Sequence, residues 1–228
     1  MMSKDGDWIV RELQDDLDVI LAILEENQAT YRFGAPLDER WLAGGWSSHF
    51  EFVRDGTRVR CDFFSRPPRL SKKEIQALWA THDGESLPYL DIPPLVKVKQ
   101  TQREKDYPII GELARKLPPA EQLIWGRSAR DLIQLAGEFP AETRIAIQRR
   151  PFLDFAIQGD RDELEAALDK ERRSLMRMDE QRLAGYTTAA TRWRGQWPEI
   201  QAELANFPLR QAHFILAQKA SGVLPACP

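Results

Sequence analysis

The 228-residue sequence predicts an α+β fold: a small mixed sheet with flanking helices, followed by a helical C-terminal half. Three observations predict it. Arg58 to Phe64 is rich in β-formers and follows an Asp55-Gly56 turn signal, which marks a strand. An apolar run, Trp41-Leu42-Ala43, is broken by Gly44-Gly45. Beyond Pro118-Pro119 only helical periodicity is present.

Taken in order, Ile9, Leu13, Leu17, Ile20, Leu21 and Leu24 recur at three- and four-residue spacing and predict a helix over 7–27. Residues 40–43 read as a short strand, and 46–52 as a helix start or a second strand. Residues 58–64 read as a strand, ended by Pro67-Pro68 because proline cannot donate to a sheet ladder. Ser71 and Glu74 form a capping box for a helix carrying Ile75, Leu78 and Trp79 and ending near Asp83-Gly84. A short strand is expected over 86–92, then helices over 95–102 and 106–116, the first opened by Pro93-Pro94. Further helices are expected over 120–138, 141–149, 160–184, 187–204 and 208–220. The chain therefore divides into an α+β part, 1–117, and a helical part, 118–228.

Composition narrows the classes of function. Hydrophobic residues make up 43% and charged residues 29%, an ordinary globular balance. The formal net charge of -3 argues against a protein that coats nucleic acid, though a local basic patch is compatible with it. Two cysteines, Cys61 and Cys227, supply neither a disulfide framework nor a metal-binding pair. The polar first residues lack a signal-peptide pattern, and no run of about 18 apolar residues exists to span a membrane. The cytoplasm is the expected location.

Three segments carry residues suited to chemistry. A strand ending in Gly44-Gly45 and entering a helix would let a ligand approach the backbone and would offer free N–H groups to an anion, with hydroxyls from Ser47 and Ser48. Set against this, a Gly-Gly pair is also what any tight turn uses. Asp62, on the strand downstream, could face a ligand's phosphates, or pair with Arg58 or Arg60 as an ordinary strand aspartate. Lys99 and Arg103 fall four residues apart on a predicted helix and could grip a phosphate, or belong to a solvated charged face. His49 lies beside the glycine turn. Between residues 172 and 194, Arg172, Arg173, Arg177, Arg182, Arg192 and Arg194 are interleaved with acids, as a solvated helix face or a protein- or RNA-binding one.

The order of these segments resembles a minimal nucleotidyltransferase of the kind found in toxin–antitoxin operons and among aminoglycoside-modifying enzymes. Gly44-Gly45-Trp46 fits that family's glycine turn. Pro94 to Lys99, with Arg103-Glu104-Lys105-Asp106, fits its late helix. The resemblance covers about residues 10–116. It implies a nucleoside triphosphate cradled by Gly44, Gly45, Ser47 and Ser48, with Lys99 or Arg103 offsetting its charge. It also implies Mg²⁺ at Asp62, the catalytic carboxylate, with Asp91 as a further acid. The family has a pair of acids where this sequence has Asp62 alone, in Arg60-Cys61-Asp62-Phe63-Phe64. The resemblance therefore implies either a transferase or a degenerate member that binds a nucleotide or a partner. The alternative is a non-enzymatic protein- or RNA-interaction module, with its partner on the helical half and a purely structural glycine turn.

Overall fold

A computed structural model describes residues 5–82 and 89–228, with the side chain of His82 left aside. The protein is α+β, with a four-stranded mixed sheet and a helical C-terminal half. It forms two compact units, residues 1–67 with 183–228, and residues 68–182. These units cut the chain elsewhere than the 117/118 boundary expected from the sequence. The first unit is discontinuous and the second is a single stretch.

The first unit holds the sheet. Strands β1 (Asp5–Ile9), β2 (Thr30–Tyr31), β3 (Ser48–Arg54) and β4 (Thr57–Phe64) lie in the order β1-β4-β3-β2. β3 and β4 are an antiparallel hairpin closed by Asp55 (φ 51°) and Gly56 (φ 70°). Two successive left-handed residues are what the tightest two-residue hairpin loop requires. β1 runs parallel to β4, pairing Asp7 with Asp62 and Ile9 with Phe64.

One face of this sheet is apolar. Tyr31, Phe50 and Phe63 join Leu17, Leu21 and Leu24 of α1 (Gln14–Glu26) in a single core. Trp193, Trp197 and Ile200 of α11 (Thr191–Leu204) and Leu209, Ala212, Leu216 and Ala220 of α12 (Leu209–Val223) complete it. Tyr31, Phe50 and Phe63 make tilted and edge-on ring contacts within this core.

Two local expectations are corrected here. Residues 5–9 are strand, not the start of a helix, because pairing with β4 outweighs the three-and-four spacing that Ile9 shares with Leu13. Residues 39–43 are helix, α2 (Glu39–Ala43), not strand. Asp38 caps α2 by accepting from the N–H of Arg40 at 2.9 Å, and the Arg40 guanidinium closes back on the same carboxylate at 3.0 and 3.1 Å. Residues 48–54 settle as strand rather than helix.

The second unit is helical. It contains α3 (Lys72–His82), α4 (Ile92–Val98), α5 (Asp106–Ala114), α6 (Pro119–Trp125), α7 (Ala129–Glu138), α8 (Pro140–Ile147) and α9 (Leu153–Gln158). The long α10 (Arg161–Ala189) begins in this unit and continues into residues of the first. The Ser71–Glu74 capping box forms as expected, with the Ser71 N–H donating to Glu74 at 2.8 Å. The end of that helix at Asp83-Gly84 and most of the strand expected over 86–92 lie outside the described residues. Ile92 already belongs to α4, which stops at Val98 rather than Gln102. The helix expected over 120–138 divides at Gly126, where Ser128 caps the second piece. α9 has no counterpart in the sequence reading.

Candidate functional site

The glycine turn has the opposite order from the expected one: a helix leads in and a strand leads out. Gly44 ends α2, and Gly45, at φ 84°, takes the left-handed position beyond it. The Gly45 N–H donates to the Leu42 carbonyl at 2.9 Å and the Trp46 N–H to the Trp41 carbonyl at 3.1 Å. This pair of bonds is the Schellman ending of a helix, and it needs a glycine where the chain turns left-handed. The Gly44 N–H also bonds inward, to Trp41 at 3.0 Å. All three successive N–H groups of the turn are thus consumed by α2.

The space beside the turn is taken by the chain itself. A Cβ on Gly44 would lie 1.6 Å from the Ala226 carbonyl oxygen, and one on Gly45 would lie 2.3 Å from the Tyr186 hydroxyl. The Tyr186 hydroxyl donates to the Gly44 carbonyl at 3.1 Å, and its ring meets Trp46 edge-on. The indole N–H of Trp41 donates to the Leu224 carbonyl at 3.2 Å, and that of Trp46 to the Pro225 carbonyl at 3.0 Å. Two indoles therefore grip consecutive carbonyls of the segment after α12. Of the two serines, Ser48 is fully buried on the core side of β3 with its hydroxyl unpartnered. Ser47 contributes its carbonyl, which accepts from Ala35 at 3.1 Å.

Asp62 sits on the other face of the sheet. His49 is its direct partner across the hairpin, and Nδ1 of His49 lies 2.7 Å from Oδ1 of Asp62. Arg32 approaches the same oxygen at 3.6 Å and Glu51 at 3.9 Å. Burial works against ionising Asp62. The hydrogen bond and charge of His49, with Arg32 and Arg60 nearby, outweigh it and hold the carboxyl below its ordinary value. The register follows from the turn: counting outward from Arg54 and Thr57 pairs His49 with Asp62. His49 was singled out in the sequence, but its partnership with Asp62 needed that count. Arg32 could not be found, because it reaches the site from beyond β2.

These residues do not fit Mg²⁺. The Asp62 carboxylate is already faced by His49 and two guanidiniums, whereas Mg²⁺ needs carboxylate oxygens free to share with water and phosphate. Among the described residues no three His, Cys, Asp or Glu side chains are grouped to hold a metal. Asp91 stands at the start of α4, in the second unit.

Lys99 and Arg103 do not share a helix face. Lys99 caps the end of α4, just after Val98, and Arg103 lies in the turn before α5. There Arg103 binds the buried Asp106 at 2.9 Å, and the Thr101 hydroxyl donates to the same carboxylate at 2.6 Å. The Gln102 N–H donates to buried Asp179 at 3.0 Å, which also holds Arg182 at 3.0 Å. The Arg103-Glu104-Lys105-Asp106 run is thus a buttressed helix start. Several other arginines between 172 and 194 are engaged as well. Arg172 pairs with Asp169 and Glu104, Arg173 with Asp169 at 2.6 Å, and Arg194 lies over the Phe33 ring.

The fold and site define an α+β protein with a self-filled glycine turn and an ionic outer sheet face. No family model, no curated protein and no solved structure matches the chain. No helix among the described residues is long and apolar enough to cross a membrane.

Proposed function

We propose that this chain is a non-enzymatic protein-interaction module, in which the Gly44-Gly45 turn is structural and the outer face of the sheet meets the partner. The observation that carries this reading is the use of the Gly44, Gly45 and Trp46 N–H groups as internal helix-ending donors, which leaves those three amides unavailable to a phosphate. The state of Asp62 supports it too, since its charge is offset by the protein's own cations.

By strand alternation, the outer face carries Asp5, Asp7, Arg58, Arg60, Asp62, His49 and Glu51, with Arg32 beside them. None of these is buried. Positive and negative side chains are interspersed. An RNA backbone calls for a cluster of cations, whereas a protein surface is matched by a two-sign pattern. The pattern therefore favours a protein partner over RNA.

Two measurements test the reading. ATP and GTP are expected to cause no rise of the thermal unfolding midpoint that depends on Mg²⁺. A rise that needs Mg²⁺ and disappears in Asp62→Asn would restore a nucleotide-binding function. In parallel, the intact chain and an Arg32→Glu/Arg60→Glu variant are isolated from cells after cross-linking. A protein captured by the first and lost by the second, at equal unfolding midpoints, supports the module. Capture that nuclease abolishes makes the partner RNA and overturns the choice of protein.

A further inference from the structure

Two arginines in the second unit share one acid. Arg150 is almost wholly enclosed and donates to Glu171 at 2.7 and 3.1 Å, and to the Leu123 carbonyl at 2.7 Å. Arg127 pairs with the same Glu171, its side chain only 10% exposed. Arg127 lies over the Tyr107 ring, 5.7 Å from its centre. Its Nε is buried and has no hydrogen-bond partner. Burial pushes the Arg150 guanidinium below its ordinary value and Glu171 opposes this, while the charge of Arg127 adds to the downward push. Two enclosed cations against one carboxylate leave an uncompensated positive charge, which a low-dielectric interior disfavours unless an anion answers it.

A cavity of about 410 Å³ opens beside Arg127. Arg130, Arg161 and Arg172 also line it, as do Ser128 and Ala129 at the start of α7. Ser128 caps α7 by accepting from Asp131 at 3.3 Å. The N–H groups of Ala129 and Arg130 belong to the first turn, where a helix has no carbonyl for them, and its dipole there favours negative charge. Two acids share the lining: Glu165, bound to Arg161 at 2.7 Å, and Asp169, bound to Arg172. Arg130 also meets Asp131 at 3.3 Å and Arg172 also pairs with Glu104, so the positive excess at this site is the one that Arg127 and Arg150 leave over Glu171.

We infer that this cavity is an oxyanion site that takes the phosphate group of a small ligand, seated between the first turn of α7 and the guanidiniums of Arg127, Arg130, Arg161 and Arg172. The planar donor fork of arginine suits phosphate oxygens, and a doubly charged group compensates the excess that Glu171 leaves. The site lies wholly within residues 68–182 and does not depend on the reading of the sheet face.

The test is calorimetric titration of the intact chain, in phosphate-free buffer, with inorganic phosphate, phosphoserine and ATP without metal. Saturable one-to-one binding of inorganic phosphate or phosphoserine at about 1 mM or tighter is expected. The ranking of the three probes separates a free ion from a phosphomonoester and from a polyphosphate. Arg127→Met and Arg130→Glu should each weaken binding by about tenfold or more. Arg127→Met leaves Glu171 paired with Arg150, so its unfolding midpoint without phosphate should match or exceed that of the natural chain. Should Arg127→Met fail to fold, Arg130→Glu carries the test, since Arg130 is 79% exposed. The absence of saturable binding overturns the inference. So does binding that neither variant weakens.

Discussion

The Tyr31 hydroxyl and Nδ1 of half-buried His213 lie 2.8 Å apart at the edge of the core that covers the sheet. The direction of the bond follows from proton counting. The Leu37 N–H donates to the Tyr31 oxygen at 3.2 Å, so the hydroxyl's own proton turns to His213. Neutral His213 then accepts at Nδ1 and keeps its proton on Nε2. Burial pushes His213 below its ordinary value of 6.5, and burial likewise holds the Tyr31 phenol far above its ordinary range.

A pH dependence of stability follows. The unfolded chain binds a proton at His213 more readily than the folded one, so stability rises with pH. The contribution is fully present above about 6.5 and is lost as the pH falls from there towards the lower folded value. Urea unfolding at a series of pH values between about 7.5 and 5 should show this decline, and His213→Gln should flatten it. An unchanged slope in the variant removes His213 as the cause. Tyr31→Phe strips the Leu37 N–H of its acceptor and should cost about 1–3 kcal/mol at neutral pH.

The glycine turn predicts a contrast between neighbouring substitutions. Gly45→Ala puts a side chain at φ 84° and against Tyr186, which should cost about 1–2 kcal/mol in urea unfolding. Gly44→Ala has an ordinary φ of -79° but meets the Ala226 backbone. It should expel the 224–227 segment and break both indole bonds. Removing residues 225–228 should rescue Gly44→Ala relative to the full chain and leave Gly45→Ala unrescued. Equal behaviour of the two would contradict the geometry.

Ser48 supplies the opposite sign. Its hydroxyl is enclosed and unpartnered, so Ser48→Ala should leave stability unchanged or raise it slightly. Its neighbour in the same strand, Phe50, is fully buried, and Phe50→Ala should cost about 3–5 kcal/mol. Denaturant midpoints of the two variants, measured together, check both.

Asp62 yields an acid limb. Because its folded value is lowered, its contribution is present above the unfolded value near 4 and is lost as the pH falls through the folded value. Asp62 is one-third exposed, so solvent screening keeps the effect below about 1 kcal/mol. Asp62→Asn should lower stability at neutral pH by that small amount and make acid unfolding shallower. A large loss would mean that Asp62 does more than hold His49 and Arg32.

What the sequence disclosed is set by how far each interaction reaches along the chain. The hairpin was legible because Asp55-Gly56 and the alternating strand are local signals. So was the Ser71–Glu74 cap. β1 was not legible: its partner is more than fifty residues away, and Ile9 falls in step with a real helix beyond it. α2 was misread because Trp41 and Leu42 are apolar in a row, while its cap, Asp38, lies just outside the run. His49 and Asp62 were both visible as residues, and only the count from the turn joins them. Tyr186 and the 224–227 segment close the glycine turn from the far end of the sequence, where no short motif could announce them.

The discontinuous first unit also sets a timetable for vectorial synthesis. The sheet strands leave the ribosome first, with Phe50 and Phe63 exposed, while α11 and α12, which cover them, are translated more than a hundred residues later. At about 5–20 residues per second that wait is on the order of ten seconds. Residues 68–182 are contiguous and form their own cores, so they emerge complete during the wait. In a nascent chain, the inserted helical unit comes first, and the sheet waits for its cover.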